Sequence, residues 1–223
     1  MSRWQIALIL ITALLWIGAL SAYFGGYDRL PQRVPTHFNA HGEADQWTDR
    51  SALLLFWLIM PAMATFLALM AMLLPRVWPA AVAMPGIQSR FETLLCIAIA
   101  MMAAVEVMVI ASSFEVKIDF GRWVLALVFA TIGVMGLGMR NLPRNPILGI
   151  RLPWTLQSDA VWDAVHRGAS RIYLAVGAVG VAAAAVGMLS GPVGIAAAVI
   201  ILLLSVGVFP IFYSLLVART MKS

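Results

Sequence analysis

The sequence is short of charge. Only 11% of its 223 residues are Asp, Glu, Lys or Arg, against roughly 25% in a soluble domain, which excludes an ordinary water-facing globule. Cysteine is scarcer still: Cys96 stands alone, so no internal disulfide can form, and its place inside an apolar run gives no reason to expect redox chemistry. There is no nucleophile motif, no paired carboxylate site within the apolar runs and no phosphate-cradling glycine loop. An enzyme is therefore not expected, and neither is a cofactor. No basic segment interleaved with aromatics is present, so direct nucleic-acid binding is not expected, and no internal repeat is visible.

What is abundant is hydrocarbon. The chain is 62% hydrophobic with a mean hydropathy of +0.94, and a membrane core of roughly 30 Å needs about 20 apolar residues rising 1.5 Å each. Six runs reach that length, at about 5–24, 53–74, 93–113, 122–139, 172–189 and 193–217. They predict an all-α integral membrane protein, a six-transmembrane-helix bundle. The first run follows Arg3 and ends near Leu20-Ser21-Ala22, as a secretory signal would, but it is longer than a signal's apolar core and reads as a retained helix. With the N-terminus inside, cytoplasmic segments hold 10 of the 15 basic residues: Arg3, Arg76, Arg90, Arg140, Arg144, Arg151, Arg167, Arg171, Arg219 and Lys222. The inside bias of Lys and Arg thus predicts an N-in/C-in bundle, and the net charge of +5 reflects that bias and contact with anionic lipid.

Small residues suit close helix contact: Gly18 and Ala22 in the first run, Gly133, Gly136 and Gly138 in the fourth, and Gly177, Gly180, Ala184 and Gly187 in the fifth. Packing within the bundle is the plainer reading and a homodimer the other. Pro61 and Pro210 are expected to kink their spans. Glu106 lies deep in the third run, where a carboxylate is costly; it is either functional or a neutral carboxyl bonded to a neighbouring helix.

Two polar stretches remain, an outer loop 25–51 and a cytoplasmic loop plus interfacial helix over 140–171. In the outer one Pro31 and Pro35 hold the chain extended, and His37, Asn39, His41, Gly42, Glu43 and Asp45 fall within nine residues. His37, His41 and Asp45 would share a face of a helix and are weak candidate zinc ligands. Asn39 and Gly42 favour turns, so a loop is the expectation. Leu30-Pro31, Val34-Pro35, His37-Phe38-Asn39, Gly42 and Asp45 together resemble the signature of a bacterial membrane domain of unknown function, DUF1648.

In the inner stretch, Pro143, Pro146, Gly149 and Pro153 prevent regular structure, and Ser158 is placed to cap a helix starting at Asp159. Trp154 and Trp162 suit a membrane interface. Arg140, Arg144, Arg151, Arg167 and Arg171 would meet lipid, a ligand or a partner, or pair with Asp159 and Asp163. Asn145-Pro146, Gly149-Ile150-Arg151, Pro153-Trp154-Thr155, Ser158, Val161-Trp162 and His166-Arg167 closely resemble the motif of the SdpI family of bacterial immunity proteins.

That resemblance implies a plasma-membrane protein protecting its cell from a secreted membrane-active peptide toxin, and in some members holding a transcriptional repressor at the membrane. It divides the chain into a DUF1648-like region, 1–74, and an SdpI-like region, 75–223. His37, Asn39, Gly42 and Asp45 would form the toxin-binding loop; Asn145, Gly149, Arg151, Trp162, His166 and Arg167 would form the inner contact site. The competing reading is a membrane enzyme or transporter for a lipid-linked or amphipathic substrate, using Glu106 and the inner Arg/His cluster.

Overall fold

The structure, a computed structural model, describes residues 1–39 and 44–221. Its described residues contain six helices long and apolar enough to cross a membrane: Arg3–Arg29, Leu53–Val77, Ile87–Ser113, Phe120–Met139, Asp159–Ala185 and Gly191–Thr220. The all-α membrane bundle expected from the apolar runs is what the chain forms. Two boundaries differ from expectation. The third span begins at Ile87, and the fifth is one helix from Asp159 to Ala185, so the expected interfacial helix and span are continuous. No proline interrupts residues 159–185, and the helix ends before Gly187, which turns at a φ of 80°.

The chain forms two compact units, Met1–Pro79 with Phe91–Phe120, and Ala80–Arg90 with Gly121–Ser223. The first unit is built on α1 (Arg3–Gly26), α2 (Leu53–Trp57), α3 (Ile59–Val77) and the greater part of α5 (Ile87–Ser113). Ser2 caps α1 reciprocally with Gln5, satisfying two orphan donors of the first turn. Both side chains also donate to Glu92 of α5, Ser2 Oγ at 2.6 Å and Gln5 Nε2 at 2.9 Å. The buried stripe Leu8, Thr12, Leu15, Ala19, Tyr23 recurs every three or four residues. It packs Leu8 and Leu15 against Ala64, Ala68, Ile99 and Cys96.

Between α1 and α2 the polar stretch is not a loop but an antiparallel hairpin, β1 (Arg33–Phe38) and β2 (Ala44–Asp49). Val34 and Leu30 are buried with Ala19, Tyr23, Leu53 and Trp57, which seats the hairpin on the helix ends. Tyr23 Oη donates to Ser51 O, and the Arg50 guanidinium lies 4.7 Å from the centre of the Tyr27 ring. Pro35 does not break the pairing, although the register shifts on either side of His37.

In the second unit, α6 (Phe120–Met139), the short helix α4 (Pro79–Val82), the short helix α7 (Pro153–Gln157), α8 (Asp159–Ala185), α9 (Gly191–Leu202) and α10 (Phe209–Thr220) are joined by short turns and the 140–152 loop. A Cβ on Gly177 would meet the Gly133 backbone at 2.6 Å, and one on Gly136 would meet Leu174 N at 2.9 Å. These glycines therefore let α6 and α8 approach backbone to backbone. Gly18, Gly138 and Gly187 instead face open space. Arg122 donates to Ala184 O and Ala185 O at the end of α8, and Arg90 to Gly138 O, Arg140 O and Asn141 O at the end of α6. Each cation meets the negative end of a helix dipole. The last span is wound as a π segment, Leu203–Val208, just before Pro210. Pro210 supplies no N–H to the turn below, and the wider winding accommodates it.

Candidate functional site

The hairpin brings together two of its expected site residues. His37 Nδ1 lies 2.5 Å from Asp45 Oδ1, with side chains 57% and 43% exposed. A strand at His37 separates it from the helical face that a three-ligand metal reading needs. His41 and Gly42 lie outside the described residues, and among the described residues no group of three His, Cys, Asp or Glu converges on a metal position. Asn39 is half-buried at the end of β1 and has a polar partner. Beside the hairpin, Pro35 and the segment between α5 and α6, including Ser112, Glu115, Lys117, Asp119 and Phe120, line a cleft of about 450 Å³.

The 140–167 stretch is a clasp of buried polar bonds. Asn145 is buried, donates to Pro143 O and Leu148 O, and accepts from the N–H groups of Ile147 and Leu148. One side chain thereby closes the turn that Pro146 opens, as an Asx side chain can when it mimics backbone. Gly149 follows with φ 103°; a Cβ there would strike the His166 ring, and Leu142 Cδ2 at 3.0 Å. The glycine admits the imidazole, whose Nε2 accepts from Ile150 N–H at 2.9 Å while Nδ1 lies 2.8 Å from Trp162 O. Only the neutral ring protonated on Nδ1 makes both bonds.

Trp162 stacks on His166 with ring centres 4.0 Å apart and donates through Nε1 to Leu142 O at 2.7 Å. It is completely buried against Ile87 and Leu142 and turns no edge outward. The indole N–H had a fixed partner in the loop, which removes the need for a wet edge. Thr155, also completely buried, accepts from Leu152 N–H at 2.9 Å and donates to Ile150 O at 2.7 Å. Trp154 Nε1 donates to Ser214 Oγ of α10 at 3.0 Å. Arg144 binds Asp159 at 2.7 Å and also donates to Leu156 O.

The clasp leaves two site residues outward. Arg151 is exposed, and Arg167 stands on the surface with Asp163 3.9 Å away. Asn141, Leu142, Pro143, Asp163, His166 and Arg167 line a cleft of about 250 Å³. Sequence reasoning placed Thr155 in the inner motif without giving it a role, and did not single out Glu92, Arg90 or Arg122 as site residues. The signal for Thr155 was its position three residues after Leu152 at a helix start; those for the others were contacts remote in sequence and hence invisible locally. Glu106 is only 3% exposed, and its Oε1 has no hydrogen-bond partner.

Residues 141–214 match the model of the SdpI/YfhL protein family, and residues 6–61 match DUF1648. The two matched segments do not overlap, and each spans less than half of the chain. It is 33% identical over 70 residues to a protein of Bacillus subtilis (strain 168) named immunity protein SdpI, covering 31% of this chain and 33% of that one. The chain thus matches about a third of the length of its curated relative. No solved structure matches it. The SdpI/YfhL region contains the entire clasp from Asn145 to Arg167, and the DUF1648 region contains the hairpin.

Proposed function

We propose that this multi-pass membrane protein confers immunity on the bacterium that makes it, with the hairpin outside the plasma membrane recognising a secreted membrane-active peptide toxin. The observation that supports this most is the family match over the clasp, together with the name of the Bacillus subtilis relative. The exposed His37–Asp45 pair on a hairpin seated by Val34 and Trp57 suits a recognition surface held by a rigid base. In this reading both termini are cytoplasmic, residues 1–74 meet the toxin, and residues 75–223 carry the inner site. Arg151 and Arg167 are the side chains that reach outward there to contact a cytoplasmic repressor.

The test is membrane depolarisation of toxin-sensitive cells challenged with an SdpC-type peptide and with other membrane-active peptides. Cells carrying the protein keep their potential, and His37→Ala or Asp45→Ala removes that protection without changing the amount of protein in the membrane. Absence of protection against every peptide would end the immunity reading.

One observation favours a transporter reading: Glu106 is buried and its Oε1 has no hydrogen-bond partner. His166 gives that reading no support, because both ring nitrogens are committed within the clasp. A Glu106→Gln variant that transports nothing and still protects cells separates the two.

A further inference from the structure

We propose that β2 is an open edge to which a cationic peptide segment adds as a third strand; this rests on the immunity reading and names how its peptide partner is held. The backbone carries the argument. Among the described residues β2 has a single strand partner, β1. Arg50 N–H donates to Gln32 O, and Gln32–Arg50, Arg33–Asp49, Val34–Thr48 and Pro35–Trp47 are successive opposed pairs. In an antiparallel ladder, opposed pairs alternate between exchanging hydrogen bonds and turning their N–H and C=O groups away. Pro35 and Trp47 fall in the second class.

The two edges of the hairpin are consequently unequal. Pro35 has no N–H to offer outward, so β1 is blunted, a usual protection for edge strands. Opposite it, Trp47 turns both its N–H and its C=O outward. β2, Ala-Asp-Gln-Trp-Thr-Asp, contains no proline. It carries Asp45 and Asp49 and no cation, on a chain whose net charge is +5. Trp47 is 49% exposed and lies between the two carboxylates in sequence. Strand addition of this kind takes affinity from main-chain bonds and specificity from alternate side chains. The complementary partner is an extended segment with Lys or Arg at alternate positions and apolar residues able to cover Trp47.

One cation of this chain already competes for Asp49: Arg33 is its cross-strand neighbour. The proposal therefore fixes the signs of two substitutions. Asp49→Asn weakens binding about two- to fivefold, as expected for an exposed charge pair. Arg33→Gln strengthens it by a similar factor.

The experiment uses the full chain in phosphatidylcholine nanodiscs and a fluorescent synthetic peptide of alternating lysine and valine, with empty discs as the blank. The same peptide N-methylated on alternate residues keeps its charge but loses the donors that pair with β2. The expected result is saturable binding that falls about tenfold or more on N-methylation, since several main-chain bonds are lost together, with the two substitutions moving it in opposite directions. Binding that is indifferent to N-methylation would show attraction by charge alone and overturn the proposal, as would absence of binding or discs that pair through β2 with a second copy of the chain. Cells protected by a protein that fails this test would leave immunity standing without strand addition; a protein that passes it and protects no cell would do the reverse.

Discussion

Gly149 has a φ of 103° and the His166 ring where a side chain would go. Gly149→Ala meets both obstacles, and a loss of about 1–3 kcal/mol is expected from the backbone alone. Thermal unfolding in detergent checks it. Thr155 and His166 hold the two polar groups of one residue, the carbonyl and amide of Ile150. Thr155→Val and His166→Ala should therefore be non-additive, with a coupling of about 0.5–3 kcal/mol in a double-mutant cycle; strict additivity would mean the two bonds are independent. Glu106 predicts the opposite sign. Its unpartnered oxygen is a buried polar group with no compensation, so Glu106→Met should raise stability by about 1–3 kcal/mol. A drop would mean that the carboxyl makes a favourable interaction in the folded protein.

Among the elements, the spans were legible because length and hydropathy alone separate a membrane helix from other structure. The hairpin was not. Pro31, Pro35, Asn39 and Gly42 each speak for a break, and only the alternation around buried Val34 speaks for a strand. A proline whose missing N–H points away from its neighbour costs the ladder nothing. The clasp was legible as a motif but not as a structure: Asn145 is of a type mostly met at surfaces, and the partners of Asn145, Trp162 and His166 lie on a loop whose path no local pattern fixes. Close helix contact was expected at Gly133, Gly136, Gly138, Gly177, Gly180 and Gly187 alike; Gly133, Gly136, Gly177 and Gly180 make it between α6 and α8, whereas Gly138 and Gly187 face open space, because spacing does not say which side of a helix a neighbour occupies. Gly177→Leu should consequently disrupt the second unit, seen as loss of monodisperse protein on extraction, whereas Gly18→Leu, with open space before it, should leave extraction unchanged.

For the whole molecule, the proposed orientation makes a direct prediction. In a Cys96→Ser background, Gln46→Cys on β2 should react with a membrane-impermeant thiol reagent in intact cells, and Gln157→Cys beside the clasp only after permeabilisation. The converse pattern would invert the bundle and place the hairpin inside. Ser2 and Gln5 hold Glu92 across almost 90 residues of sequence, and the first unit is completed only by Phe91–Phe120. A chain inserted from its N-terminus thus leaves the part of the first helix that meets Ile99, Cys96 and Glu92 uncovered until the third span is made. Faster elongation through residues 30–90 would shorten that exposure without altering a single native contact.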